Sequence, residues 1–187
     1  WNNIVSIATG WRHTVGLDSS GKIHITGFGS ETQLKQIENA KNEWKDIVAI
    51  SAGGGNSGDL GRATFTVGLR ADGTVVTTGS SSEKISHWKD IVAISAGDFH
   101  TVGLRSDGTV VTTLTENSAN KISEWTDIVA VSAGYGFTLG LKADGKVVAA
   151  GFDHNGQIDT ESWEDVVNYT TEWKTIFDTD LRWIGFK

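Results

Sequence analysis

The sequence predicts an all-β fold, a β-propeller with three- to four-stranded antiparallel blades, four of them complete and a fifth partial. The first observation behind this prediction is a repeat with a period of roughly 40 residues, which is typical of an array of one supersecondary unit. A tryptophan opens every copy: Trp1, Trp44, Trp88, Trp125 and Trp163. The copies occupy residues 1–43, 44–87, 88–124 and 125–162, with the partial fifth at 163–187. Together they form a single propeller domain or a segment of one.

Two strand-like runs flank a turn signal within each complete copy. In the third copy, TVGLR from Thr101 and TVVTT from Thr109 flank Asp107-Gly108, a dipeptide that strongly favours a tight β-hairpin. The other copies carry a related pair at this place: Asp72-Gly73, Asp144-Gly145 and Ser20-Gly21. Because a β-branched run also follows each opening tryptophan, every complete copy is predicted to be an antiparallel meander of at least three short strands.

Small residues are concentrated in the first strand of each copy, for example Ala49, Ser51 and Ala52. Such residues suit a crowded inner strand, which is typical of a propeller and is not required by a flat solenoid. The second strand carries a glycine at one register: Gly16, Gly68, Gly103 and Gly140. This glycine predicts the close approach of another backbone. The opening tryptophans are predicted to be structural, with each ring wedged between adjacent blades.

The third copy also carries the most specific motif. Its pattern W-x-D-I-V-A-I-S-A-G-x-x-H-T-V-G-L-R-x-D-G-T-V-V resembles the regulator of chromosome condensation repeat, in its short bacterial form. The segment from Gly151 to Gln157 also resembles that family's G-x-N-x-x-G-Q segment. The resemblance covers residues 1–162 well and the rest partially. It implies a structural role for His13 and His100, which pack around the central channel in that family.

The number of copies leaves the arrangement of the ring open. Family members usually have seven blades, whereas this chain supplies four copies and part of a fifth, which breaks off at Lys187. The alternatives are a closed five-bladed ring, an open arc from a longer protein, and subunits that join into one ring. Because repeat proteins normally cap their terminal units, we expect a piece of a larger propeller or a homo-oligomer.

The copies differ most between their first and second strands. This connection has three residues in copies one, three and four, twelve in copy two (54–65) and about ten in copy five. In a propeller these connections emerge on one face, which is predicted to bind a partner through aromatic and charged side chains. The predicted binding residues are Trp11, Arg12, Asp59, Arg62, Asp98, Phe99, Tyr135, Trp173, Asp178, Asp180 and Arg182. The alternative is that these are ordinary exposed loops.

Composition excludes several classes of partner and site. The chain of 187 residues has a formal net charge of -7, no cysteine, and lysines and arginines that are scattered rather than clustered. Nucleic acid and membrane insertion are therefore not expected, whereas a basic protein partner is compatible with the charge.

The connector from Phe28 to Glu43 has the spacing of a short amphipathic helix that packs against the ring.

Tests for chemistry give no catalytic, metal or cofactor site. Gly53-x-Gly55-x-x-Gly58 matches a dinucleotide fingerprint, but neither a helix pattern nor a βαβ unit accompanies it. His13 and His100 lack a third ligand for zinc. The alternating oxygen ligands from Asp153 to Glu161 lack the sixth-position glycine of a calcium loop, and no strained nucleophile motif is present.

The sequence therefore favours a non-enzymatic binding module that contacts a protein through the variable loops. Some members of the similar family inhibit β-lactamases by covering the active site, so inhibition is one form that this binding would take. The alternatives are a carbohydrate-binding propeller, with Trp11, Tyr135 and Trp173 stacked on sugar rings, and an architectural segment of a larger repeat protein. A secreted or cell-surface bacterial location is favoured over a cytoplasmic one.

Overall fold

The computed structural model of the protein describes residues 1–27, 31–57, 61–62, 64–78, 82–114 and 116–166. Within these ranges the chain forms four consecutive three-stranded antiparallel sheets, here called blades 1 to 4. The blade strands are β1 Ile4–Thr9, β2 His13–Asp18, β3 Ile23–Gly27, β4 Ile47–Gly53, β7 Phe65–Arg70, β8 Val75–Thr77, β9 Ile91–Ala96, β10 Thr101–Arg105, β11 Val110–Thr112, β12 Ile128–Ala133, β13 Phe137–Lys142 and β14 Val147–Gly151. The middle strand of each blade pairs with both others, so the predicted meander is confirmed.

Short elements fill the connections between these strands. A small hairpin, β5 Asn56–Ser57 and β6 Gly61–Arg62, lies in the long loop of blade 2. Three helices follow the third strands of blades 1 to 3: α1 Glu31–Glu43, α2 Ser82–Ile85 and α3 Glu116–Ser123. Helix α1 confirms the predicted helical connector, whereas α2 and α3 were not predicted from the sequence. Among the described helices, none is long and apolar enough to cross a membrane.

The core lies between neighbouring blades, because each sheet has two faces to bury. The first cluster joins Val15, Leu17, Ile23 and Ile25 of blade 1 to Trp44 and Ile47 of blade 2. Two further clusters repeat this arrangement between blades 2 and 3 and between blades 3 and 4. Trp88, which is only 2% exposed, packs in the second of the three clusters. Trp44, Trp88 and Trp125 each have a described blade on both sides. All three lie in the clusters between blades, which is the predicted wedge position.

The two tryptophans at the ends of the described array are exposed. Trp1 is 55% and Trp163 is 49% exposed. Trp1 packs on the sheet of its own blade, where a Cβ added to Gly16 would lie 3.0 Å from its ring. The wedge position of these two rings stays a prediction, since the structure describes no second blade beside either indole.

The glycine of each second strand makes room for an indole ring and not for a backbone. A Cβ on Gly103 would lie 3.0 Å from the Trp88 ring, and a Cβ on Gly68 would lie 2.8 Å from the Trp44 ring. The predicted close approach of another backbone is therefore wrong at this register. It is found instead at the end of the inner strand, where a Cβ on Gly53 would collide with the Gly97 carbonyl oxygen of the next blade.

The small residues of the inner strands also link the blades by hydrogen bonds. The Ala96 amide donates to Ser51 Oγ, and the Ala133 amide donates to Ser95 Oγ, each at 3.0 Å. A side chain longer than serine would hold the neighbouring inner strand farther away. These bonds give a physical reason for the small residues from which the propeller was predicted.

The third residue of the W-x-D-I motif turns the chain into each inner strand. Asp90 has a φ of 59°, a left-handed conformation that Asp and Asn tolerate better than most residues. Its carbonyl oxygen accepts a hydrogen bond from the Ser106 amide at 2.9 Å, which ties the start of the inner strand to the hairpin of the same blade. Asp165 has the same conformation, with a φ of 55°, so a fifth copy begins with the same turn.

Candidate binding face

The strand registers place one set of loops at one end of the blades. Thr9 pairs with Thr14, Ala96 with Thr101 and Phe137 with Gly151, so the first-to-second-strand loops and the ends of the third strands lie together. We call this end the loop face. The opposite end, which carries the turns between second and third strands, is called the hairpin face. The hairpin face repeats almost unchanged, since Asp72 and Asp107 each accept hydrogen bonds from the threonine two residues later.

Two predicted binding residues from adjacent blades meet on the loop face. The rings of Phe99 in blade 3 and Tyr135 in blade 4 have centroids 5.3 Å apart and planes at 82°. This edge-to-face arrangement is favourable for aromatic rings and holds each one in a defined orientation. Tyr135 nevertheless remains 48% exposed. The pair therefore forms an ordered aromatic surface that solvent reaches.

Phe152 and His154 extend this aromatic surface, although the sequence analysis did not select them. Phe152 is 53% exposed, and its ring lies against Gly136, where a Cβ would collide with it. The His154 ring stacks on Phe152 with centroids 5.8 Å apart and planes at 27°. The sequence could have indicated these two residues. In a three-stranded meander, the third strand ends beside the loop that joins the first strand to the second. The residue after β14 therefore belongs to the loop face.

Asp98 precedes Phe99 in the loop of blade 3, and its side chain lies beside the long loop of blade 2. A Cβ added to Gly55 would lie 2.9 Å from Asp98 Oδ2, so the carboxylate occupies the space that a larger residue would fill. The Asp98 amide donates to the Gly134 carbonyl oxygen at 3.3 Å, which connects the loop to blade 4. Burial raises the pKa of the Asp98 carboxyl. Among the described side chains, none forms an ion pair with it.

The remaining predicted binding residues divide into those that are described and those that are not. In blade 1, the guanidinium carbon of Arg12 lies 5.3 Å from the ring centroid of the exposed Trp11, within cation–π range. The backbone of Arg62 lies in β6. Five residues lie outside the described part of the chain: Asp59, Trp173, Asp178, Asp180 and Arg182.

His13 and His100 are buried below the loop face and link neighbouring blades. Their Nε2 atoms lie 2.9 Å from Thr66 Oγ1 and 3.0 Å from Thr138 Oγ1, respectively. Burial lowers the pKa of both rings, and that of His100 to about 4. The two rings lie at different blade interfaces, and the described residues contain no group of three metal-binding side chains. Their contacts are those of interface residues between blades.

Two grooves in the described chain lie away from the aromatic surface. One, of about 420 Å³, is lined by residues around Trp125 and α3, and the other, of about 220 Å³, lies between Trp1, β3 and α1. Neither includes Phe99, Tyr135 or Phe152. Solvent reaches the aromatic surface through Tyr135 and Phe152, each about half exposed.

Comparison with known proteins bears on this geometry. A repeat-family model described as "Regulator of chromosome condensation (RCC1) repeat" matches residues 4–33, 91–113 and 128–157. These stretches belong to blades 1, 3 and 4. The fold is that of RCC1-type β-propellers. Among curated proteins, none gives a significant match to this chain.

Several solved structures have a similar fold at low sequence identity. Prp20p from Saccharomyces cerevisiae is 15% identical to this chain, with a TM-score of 0.57. The matched region includes 87% of this chain and 49% of the Prp20p chain. Human WBSCR16 is 12% identical with a TM-score of 0.60, and 89% of this chain covers 52% of it. The ectodomain of the Arabidopsis thaliana receptor kinase ACR4 is 16% identical with a TM-score of 0.57, and 87% of this chain covers 55% of it. The chain thus spans about half the length of these structures.

Proposed function

We propose that this chain is a non-enzymatic binding module whose loop face contacts a protein partner. The observation that carries the proposal is the aromatic surface formed by Phe99, Tyr135, Phe152 and His154, all four of which lie in loops outside the strands. Exposed aromatic side chains in defined orientations are the residues that contribute most to protein–protein contacts.

The contrast between the two faces supports this assignment. On the hairpin face, the aspartates are occupied by their own turns, as Asp107 is by the Thr109 amide and hydroxyl at 2.9 and 2.7 Å. On the loop face, the aromatic rings remain exposed, although contact between apolar surface and water is unfavourable in the isolated chain. A surface that a scaffold does not require, on the face where the copies differ, is best explained by a partner.

The solved structures are compatible with a protein partner. The structure of Prp20p was described together with its binding to Gsp1p and histones. The likeness of the present chain to Prp20p is one of fold, so the identity of the partner does not carry over. Inhibition of an enzyme by covering its active site is one form that this function would take.

A capture experiment with matched variants tests the proposal. Biotinylated chain would be used as bait in extract from its source, and captured proteins would be quantified against Tyr135→Ala/Phe152→Ala. Val92→Ala is the matched control, because Val92 is also an exposed apolar residue but lies at the hairpin face. We expect proteins that are retained by the wild type and the control and reduced about tenfold or more with the double variant.

Two outcomes would contradict a protein partner at this face. One is a set of captured proteins that the double variant retains unchanged. The other is robust binding of the wild type to one sugar class on a glycan array, lost in the double variant. The second result would assign the same aromatic surface to a carbohydrate.

A further inference from the structure

His100 is a buried residue that ends the loop of blade 3 (97–100) and joins it to blade 4. We propose that His100 is the positioning residue of the aromatic surface, and that protonation of its ring in acid releases the partner. This inference rests on the proposed function and adds the regulation of the same surface to it. It follows from three features: bonds to blade 4 on both sides of Phe99, a ring nitrogen that is buried without a partner, and an equivalent histidine away from the aromatic surface.

Phe99 lies between two residues that each hydrogen-bond to blade 4. On one side, the Asp98 amide donates to the Gly134 carbonyl oxygen at 3.3 Å. On the other side, His100 Nε2 lies 3.0 Å from Thr138 Oγ1, and this hydrogen bond is buried. The two blade 4 residues flank the tyrosine whose ring Phe99 contacts edge to face. The backbone on both sides of Phe99 is therefore held to the segment that carries its ring partner, so the geometry of the aromatic pair depends on these bonds.

The His100 ring also packs on the first residue of its own loop. A Cβ added to Gly97 would lie 2.9 Å from His100 Cε1 and would collide with the Gly134 carbonyl oxygen. The Gly97 amide donates to the His100 carbonyl oxygen at 2.9 Å, which closes the loop. The ring therefore contacts the start of its loop and the neighbouring blade at the same time, and a change in the ring would affect both contacts.

Protonation of His100 would disrupt these contacts. Burial lowers the pKa of the ring to about 4, so the ring is neutral in the folded chain near neutral pH. Its Nδ1 is also buried and has no hydrogen-bond partner within the described part of the chain. A second proton would therefore place a charged ring with an unsatisfied N–H between the blades, which is unfavourable unless the ring moves into water. Since loops open at a lower free energy than strands, the blade 3 loop should open before the sheet unfolds.

The surroundings of His100 contain one other group that titrates in acid. The ring contacts Thr138 from β13 and Gly97 from its own loop, and neither residue is ionisable. The ionisable side chain nearest in the chain is Asp98, whose carboxylate lies beside Gly55 of blade 2 and whose pKa is raised by burial. Asp98 therefore titrates in a range that overlaps with that of His100, and variants of both residues are needed to separate them.

His13 supplies a matched control from the same chain. It occupies the equivalent loop position in blade 1, and its Nε2 lies 2.9 Å from Thr66 Oγ1 of blade 2. Its ring is buried too, and its Nδ1 likewise lacks a partner among the described residues. The loop that it holds contributes no ring to the aromatic surface. A histidine that only joins two blades would act alike at both places, whereas an effect on the aromatic surface is expected of His100 alone.

Fluorine NMR of the chain labelled with 3-fluorotyrosine reports the ring of Tyr135 without any partner. The chain has only two tyrosines, so Tyr169→Phe leaves Tyr135 as the single labelled ring. Phe99→Leu in this background gives the resonance of a Tyr135 ring that has lost its aromatic neighbour. We expect His100→Phe and Thr138→Val to move the Tyr135 resonance toward this reference position. His13→Phe should leave the resonance unchanged.

The same resonance followed from pH 6.5 to 4 tests the role of protonation. In the chain with His100 it should move toward the reference position as the pH falls, while circular dichroism shows that the sheets remain folded. Asp98→Asn should retain this acid response. His100→Gln should lose it, because the glutamine amide is able to hydrogen-bond to Thr138 but does not titrate.

The capture experiment connects this geometry to binding. For the proteins whose capture depends on Tyr135 and Phe152, His100→Phe and Thr138→Val should each reduce the captured amount about fivefold, the factor that one hydrogen bond contributes. His13→Phe should capture as much as the wild type. A wash at pH 4 should release these proteins from the wild type and leave them bound to His100→Gln.

The outcomes separate this inference from the proposed function. Equal fluorine shifts in His100→Phe and His13→Phe, or an acid response that persists in His100→Gln, would overturn His100 as the positioning residue, and neither result requires a partner. Unchanged capture by a His100→Phe chain with a shifted Tyr135 resonance would overturn it as well. If His100→Phe fails to fold, Thr138→Val makes the same test. Proteins that the Tyr135→Ala/Phe152→Ala variant retains would instead contradict the proposed function, whatever the fluorine spectra show.

Discussion

Blades 1 and 3 have the same strands and the same hairpin register, but their tryptophans have different surroundings. Trp88 of blade 3 is 2% exposed and lies between blades 2 and 3, whereas Trp1 of blade 1 is 55% exposed. Each ring lies 3.0 Å from the place where a Cβ on its own blade's glycine would be. The comparison shows that the repeat places the ring and that the neighbouring blade buries it.

The third strands of these blades differ in a related way. Val111 of blade 3 pairs with Gly103 and packs against blade 2. The equivalent residue of blade 1 is His24, which pairs with Gly16 and whose Nε2 lies 2.8 Å from Asp18 Oδ2. A polar pair thus occupies the face of blade 1 that no described blade covers, whereas the equivalent face of blade 3, which packs against blade 2, has valine. This difference agrees with the larger cost of leaving apolar surface in water.

Replacing the two tryptophans gives the largest expected contrast. Trp88→Ala should reduce the free energy of unfolding by about 3–5 kcal/mol, because it opens a cavity between two blades. Trp1→Ala should cost less than about 1 kcal/mol, since the exposed ring loses little on removal. Urea denaturation followed by circular dichroism measures both. Equal losses in the two variants would mean that the face of blade 1 is covered in solution.

Acid should destabilise the interface that His100 shares with blade 4. Its folded-state pKa of about 4 lies below the ordinary value of 6.5, so the folded protein excludes a proton that the unfolded chain accepts. The contribution of neutral His100 to the free energy of unfolding should be fully present above pH 6.5. The free energy of unfolding should then fall by on the order of 3 kcal/mol as the pH decreases from 6.5 to 4. Denaturant midpoints across this range measure the slope.

The chain itself supplies a control for the acid effect. Phe65 and Phe137 occupy the position of His100 in the neighbouring blades, so His100→Phe removes the titrating group with a residue that the repeat accepts. The variant should have a shallower dependence on pH, although leaving Thr138 Oγ1 without its partner lowers its stability at neutral pH. An unchanged slope would assign the acid effect to other groups.

Adding one methyl group beside each tryptophan should give the smallest contrast. Gly103→Ala brings a Cβ to within 3.0 Å of a ring confined between two blades, and the strain should cost about 1–3 kcal/mol. Gly16→Ala meets the Trp1 ring at the same distance, but that exposed ring is free to move away. Thermal unfolding should therefore show a lower midpoint for Gly103→Ala alone. A similar loss at Gly16 would show that Trp1 is held as firmly as Trp88.

Much of the fold was predictable because its determinants are local in the sequence. Asp-Gly between β-branched runs predicted the hairpins, and the small residues of IVAISAG predicted the crowded inner strands. Helices α2 and α3 were missed, since a four-residue and an eight-residue helix leave little periodic pattern. The role of Gly103 was also missed, because the tryptophan that it accommodates is fifteen residues earlier in the chain.

The candidate site was predictable only in part. Phe99 and Tyr135 were selected because loops between first and second strands share one face, and the structure brings their rings together. Phe152 was not selected, because its position depends on where β14 ends relative to the neighbouring loop. The lack of a counterion at Asp98 among the described residues was likewise not readable, since it depends on side chains from several blades.

The sequence by itself determined the strands, the turns and the repetition, because each depends on residues that are close along the chain. The left-handed Asp90 and the Asp107-Gly108 hairpin are of this kind. Only the tertiary structure decided which copies of one residue are buried and which loops meet. Trp1 and Trp88 open the same motif, yet one is exposed and the other buried, because burial is a property of the blade beside a residue and not of the residue.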